Sequence, residues 1–181
     1  MKKLHTRHVK PKEMIEKAGY IPTVIGTSMF AGFLPLFPGT WGSIVGVAVF
    51  ILIGNFTGIY FSLIIIGLLI SAYISGLIED ALGIKDPSQI VIDETIGMMI
   101  ALFGFQSPLF LAENNAGHFL TYWYIAAGFI SFRFFDILKP WPISLIEKQK
   151  GGWAIMADDV AAGIITNILL QITNFILNKF F

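Results

Sequence analysis

From Ala18 through Ile78 the chain carries no Asp, Glu, Lys or Arg. No soluble helix accounts for an uncharged run of that length. At about 20 residues per span it holds two membrane crossings and a further piece. The whole chain agrees: 55% of its 181 residues are hydrophobic and 13% charged, with a mean hydropathy of +0.74, which is membrane-protein composition. FLPLFPGTWGS (33–43) interrupts the run, because Pro35, Pro38, Gly39 and Gly42 deny a continuous helix. Residues 20–34 are therefore expected to be interfacial or re-entrant. Apolar spans are expected at 41–54, 59–78, 95–111, 119–138 and 160–177, with Pro140 and Pro142 stopping the fourth. The expected fold is an all-α polytopic membrane bundle of about five helices: a basic N-terminal tail (1–19) followed by a single helical membrane catalytic domain (20–181).

Net charge is zero, yet Lys2, Lys3, Arg7, Lys10, Lys12 and Lys17 supply half of the 12 Lys and Arg. Glu13 and Glu16 stand in the same segment and no short apolar core follows, which argues against a cleavable signal peptide. Positive charge collects on the cytoplasmic side of short loops, so the tail is expected inside. Five crossings then place NFTG and ENNAGH outside, and EDALGIKDPSQ and KPWPISLIEKQKGG inside. Nothing in this distribution points to nucleic acid. The absence of cysteine excludes disulfides, thiolate metal sites and a Cys nucleophile.

On that topology the carboxylates converge. Glu79 and Asp80 close the second span, Asp93 and Glu94 open the third, Asp136 closes the fourth, and Asp158 with Asp159 opens the fifth, all at one membrane face. Arg133 and Lys139 flank Asp136 at i−3 and i+3, a helical turn to either side. Plain structural readings exist for each: helix N-terminal acids as caps, Arg133 with Asp136 as an ion pair, Glu79 and Asp80 as a solvated helix end. Ionisable groups near a membrane are nevertheless costly and mark function by default.

Several carboxylates at one point need a cation among them. Oxygen ligands without cysteine favour a hard ion, Mg²⁺ before Ca²⁺ or Mn²⁺. His5 and His8 lie in the tail and His118 is expected on the opposite face, which disfavours zinc. Arg beside such an ion suits phosphate oxygens, so the set suggests phosphoryl chemistry. PGTWGS (38–43) is a weaker element: ahead of a helix, its N–H groups and the Thr40 and Ser43 hydroxyls could cradle a phosphate, whereas Gly42 and Gly46 also make a helix-packing pair. No GxxxxGK[ST] motif is present, which excludes P-loop ATP binding. The competing class is a small cation transporter, since membrane acids also line ion pathways; a structural subunit would leave the Arg133, Asp136, Lys139 spacing unexplained.

LPLFPGTWGS, IVIDETIGM, FRFFDILKPWPI and GGWAIMADDVAAGI, in this order and at these intervals, resemble the signature segments of the phosphatidylglycerophosphatase A family. The resemblance implies an all-helical, Mg²⁺-dependent bacterial inner-membrane enzyme that takes the phosphate monoester from phosphatidylglycerophosphate, leaving phosphatidylglycerol. By position it points to Asp93, Glu94, Arg133, Asp136, Lys139, Pro140, Asp158 and Asp159, to the loop residues Pro38, Gly39, Thr40, Gly42 and Ser43, and to Asp80 as a further acidic position. The expected chemistry has Mg²⁺ on Asp93, Glu94, Asp136 and Asp158 or Asp159. Arg133 and Lys139 stabilise the phosphate oxygens, and a carboxylate such as Asp159 accepts a proton from water. A carboxylate nucleophile is the rival route.

Overall fold

A computed structural model describes residues 9–108, 115–140 and 152–180. Residues 1–8 of the basic tail, part of ENNAGH, and residues 141–151 lie outside the described residues. Those described form seven α-helices and a short 3-10 turn, with no strand among them. The helices are α1 (Pro11–Ala18), α2 (Tyr20–Gly26), α3 (Pro38–Ile53), α4 (Thr57–Leu82), α5 (Ile92–Ala101), α6 (Asn115–Leu138) and α7 (Gly152–Phe180); the 3-10 turn is Ala31–Phe33.

Two helices, α4 and α7, are long and apolar enough to cross a membrane. Their 26 and 29 residues correspond to about 39 and 43 Å of helix, against a hydrocarbon core of roughly 30 Å. Large apolar side chains on them face outward, among them Phe61, Leu69, Tyr73, Ile168 and Phe175.

The expected span at 95–111 is not one helix. α5 stops at Ala101 after 10 residues, about 15 Å, and the chain turns through Gly104 at φ 86°. The orphan carbonyls at its end are taken up from α7: Asn167 Nδ2 donates to Ala101 O at 3.1 Å and to Phe103 O at 2.7 Å. Eight of the ten α5 residues are buried, because α3, α4, α6 and α7 all pack around it.

The N-terminal segment folds onto the same bundle. α1 and α2 pack on α4, with Val9 and Met14 buried, so the described end of the expected tail is part of the core. Val91 N donates to Gly26 O at 2.9 Å, tying α2 to the start of α5. At the far end of the bundle Asn55 exchanges hydrogen bonds with Ser107, Nδ2 to its carbonyl at 3.3 Å and Oδ1 from its N–H at 2.8 Å. α3, α5 and α7 therefore point the same way along the bundle, and α4 and α6 return.

Candidate active site

The site is assembled where α5 crosses α7. Both helices present glycine at the contact: a Cβ on Gly163 would fall on the Gly97 carbonyl, and one on Gly97 would lie 2.8 Å from Asp159 O. Backbones that close bring together the acids one turn up each helix. Asp93, Glu94 and Asp159 each offer a carboxylate oxygen within 4.8 Å of the others, the one such group among the described residues. Asp93 and Asp159 are 5% and 4% exposed, so water does little to screen these two.

That crowding has an electrostatic cost. Burial first, then the neighbouring Glu94, holds the Asp93 carboxyl well above the usual carboxylate range, with Asp86 adding to the repulsion. Burial chiefly pushes Glu94 up to about 8, although its hydrogen bond to Asp93 and the Arg133 charge pull the other way. Glu94 Oε2 is buried with no hydrogen-bond partner.

α6 supplies the cations from the side. Arg133 Nη1 donates to Asp136 Oδ2 at 2.5 Å, both side chains largely buried, and Arg133 Nε is buried without a partner. Asp136 in turn stands within hydrogen-bonding reach of Asp159. Lys139, just past the end of α6 with φ 42°, donates to Asp158. The two adjacent aspartates of α7 are thus divided: Asp159 turns to the acid group and Asp158 to the lysine. Neither is an N-terminal cap, because α7 begins at Gly152 rather than near residue 160. Asp93 and Glu94 do lie in the first turn of α5, where the helix dipole favours them.

PGTWGS is not a loop ahead of the helix. Pro38 opens α3, the Thr40 N–H is spent on Phe37 O at 2.9 Å, and buried Ser43 donates to Gly39 O at 2.9 Å. Gly42 and Gly46 pack against α5: an added Cβ would lie 2.6 Å from Val91 O and 2.6 Å from Thr95 O respectively, and Thr95 Oγ1 donates to Gly42 O at 2.9 Å. Of its two glycines, Gly39 is the one beside the acids, since a Cβ there would land on Glu94 Oε1 and 3.0 Å from Arg133 Nη1. Asp80 is exposed on the last turn of α4 and stands outside the three-carboxylate group. Its neighbour Glu79 accepts the Asp86 N–H at 2.5 Å and so shapes the loop into α5. Residues that spacing did not single out are Gly97, Gly163 and Thr95, which set the helix approach; all three stand inside IVIDETIGM or GGWAIMADDVAAGI.

Five carboxylates (Asp93, Glu94, Asp136, Asp158, Asp159) thus meet two cations (Arg133, Lys139). A divalent cation fits the surplus, with Asp93, Glu94 and Asp159 as oxygen donors and the unpartnered Glu94 Oε2 among the atoms that would meet it.

The family model described as Phosphatidylglycerophosphatase A matches residues 24–174. Similar curated proteins include one from Bacteroides thetaiotaomicron that carries the provisional name phosphatidylinositol-3-phosphatase, 32% identical over 90% of this chain and 99% of its own. Two named Phosphatidylglycerophosphatase A, from Escherichia coli and Haemophilus influenzae, are 34% and 35% identical, over 75% and 77% of this chain and 73% and 80% of theirs. No solved structure matches.

Proposed function

Since the chain belongs to the phosphatidylglycerophosphatase A family, we propose that it hydrolyses the terminal phosphate monoester of phosphatidylglycerophosphate, with Mg²⁺ held by Asp93, Glu94 and Asp159. The observation that carries this reading is the acid group itself: two buried carboxylates and one half-buried, from two helices, within 4.8 Å of one another, beside an arginine. Mg²⁺ there supplies a Lewis acid that activates water and screens phosphate charge.

The chain's own residues do the rest. Arg133 orients the phosphate through its guanidinium, with Nε free of a protein partner and Nη1 anchored on Asp136. Lys139, held by Asp158, adds a second positive charge for the oxygens as negative charge develops. Asp159 is placed to accept the proton of attacking water, and Asp136 beside it fixes its carboxylate. Gly39 keeps the approach to Glu94 and Arg133 clear. This division of labour favours water over a carboxylate as nucleophile, because the buried acids are engaged with one another and with the cations.

The reading places the enzyme in the bacterial cytoplasmic membrane, with this end of the bundle at the cytoplasmic surface. Its support is the pair of apolar helices and the packing of the lysine-bearing α1 on α4, whose C-terminal end leads into the acidic region. The lipid then keeps its chains in the bilayer while its headgroup is cleaved. Cation transport is the weaker reading, since the acids gather at one end rather than along a path.

The test is phosphate release by detergent-purified protein from phosphatidylglycerophosphate, and in parallel from phosphatidylinositol 3-phosphate. Release from the first with Mg²⁺, lost with EDTA and restored by added Mg²⁺, is expected. Folded protein that releases nothing from either lipid would overturn the enzyme reading; release from the inositol lipid alone would overturn the substrate.

A further inference from the structure

The α5–α7 crossing has a second side. Along α5, Asp93, Gly97 and Ile100 share one face at i, i+4 and i+7; along α7, Asp159, Gly163 and Asn167 do the same at i, i+4 and i+8. The carboxylates stand on one side of the glycine contact. On the other side is a recess of about 160 Å³ lined by Phe61 and Ile64 of α4, Ile100 and Phe103 at the end of α5, and Ile164 and Ile168 of α7, with Asn167 its polar member.

Its walls are hydrocarbon. The amide nitrogen of Asn167 is already committed to Ala101 and Phe103. Apolar cavities of roughly 150 Å³ stay dry and accept a guest the size of benzene. Ile64 closes the floor at 5% exposure, while Phe61, Ile164 and Ile168 at the rim are about half exposed, at 51%, 46% and 53%. The opening thus faces sideways between α4 and α7, the two helices able to cross a bilayer.

We propose that this recess holds a segment of one acyl chain of the lipid whose phosphate is hydrolysed. The proposal rests on the lipid-phosphatase reading above and adds to it how the substrate is held. Two features argue for a substrate chain rather than any apolar guest. The recess, which α4 completes, and the acid group share α5 and α7, so the position of one is registered to the other. Their separation also suits one molecule: Ile164 and Ile168 follow Asp159 by about 7 and 13 Å of helix, and Ile100 follows Glu94 by about 9 Å. The glycerol phosphate and diacylglycerol parts of such a lipid stand between its terminal phosphate and its chains. Binding energy from the unreacting chain then positions the phosphate.

The experiment compares phosphatidylglycerophosphate carrying two long chains with its dihexanoyl form, at fixed mole fraction in mixed micelles, for the wild-type protein and for Ile164→Trp and Ile168→Trp, which fill the recess from its rim. The readout is the ratio of kcat/KM for the two lipids on one preparation, from which any loss of folded protein cancels. Wild-type protein should prefer the long-chain lipid. Each variant should lose that preference by about tenfold, through KM for the long-chain lipid. A ratio unchanged in both variants overturns the proposal and leaves the recess to bulk membrane lipid. Absence of turnover of either lipid by the wild type would instead overturn the phosphatase reading.

Discussion

Gly39 lets Glu94 and Arg133 stand side by side at the mouth of the site. A methyl there would overlap Glu94 Oε1 and press on Arg133 Nη1, and a displacement of about 1 Å in a catalytic array can cost on the order of 100-fold in rate. Gly39→Ala should therefore lower kcat/KM by about 10- to 100-fold with the melting temperature little changed; Gly58→Ala, where an added Cβ meets nothing, should alter neither. Kinetics and a thermal melt on both proteins check this. The glycines of PGTWGS show what was legible at this scale. Their spacing indicated one close helix face, and that face is real at Gly42 and Gly46. Spacing is silent on what stands opposite, so it could not tell a packing glycine from the one beneath a carboxylate. Asp158 and Asp159 were equivalent for the same reason until α6 delivered Lys139 to the first and Asp136 to the second.

Among the elements, the hydropathy pattern misjudged α5 at its C-terminal end. Its apolar run continues past Ala101, but Asn167 of α7 takes its terminal carbonyls and Gly104 turns the chain; contacts from 64 and 66 residues downstream are invisible to local periodicity. α7 is misjudged in the opposite sense, reaching back to Gly152 and carrying Asp158 and Asp159 within its body. The α5–α7 contact is what aligns the acids, and it depends on Gly163, whose Cβ position is already filled by the Gly97 backbone. Backbone cannot yield as a flexible side chain does. Gly163→Ala should destabilise the protein by about 1–3 kcal/mol, lowering the melting temperature and turnover together because Asp93 and Asp159 separate with their helices. Normal stability with normal turnover would mean that the crossing has room to spare.

At the scale of the whole molecule, helices that alternate between two ends carry Asp93, Glu94, Arg133, Asp136, Lys139, Asp158 and Asp159 to the same end. That convergence was legible, because it follows from the order of apolar segments and the position of charges at their borders. Which carboxylates touch was not, since it depends on helix rotation and on a crossing set by two glycines. Exposed apolar surface on α4 and α7 and buried charge at one end suit a bundle that meets its substrate at the bilayer surface. We propose that Asp93 and Asp159, from different helices, form one Mg²⁺-dependent hydrolytic site. Phosphate release from phosphatidylglycerophosphate at saturating Mg²⁺ by Asp93→Asn, Asp159→Asn and Asp80→Asn tests it most directly. The first two should fall by about 10²- to 10⁴-fold with the fold retained, and the third should stay within about twofold of wild type. Folded Asp93→Asn and Asp159→Asn proteins that turn over at the wild-type rate would contradict the account.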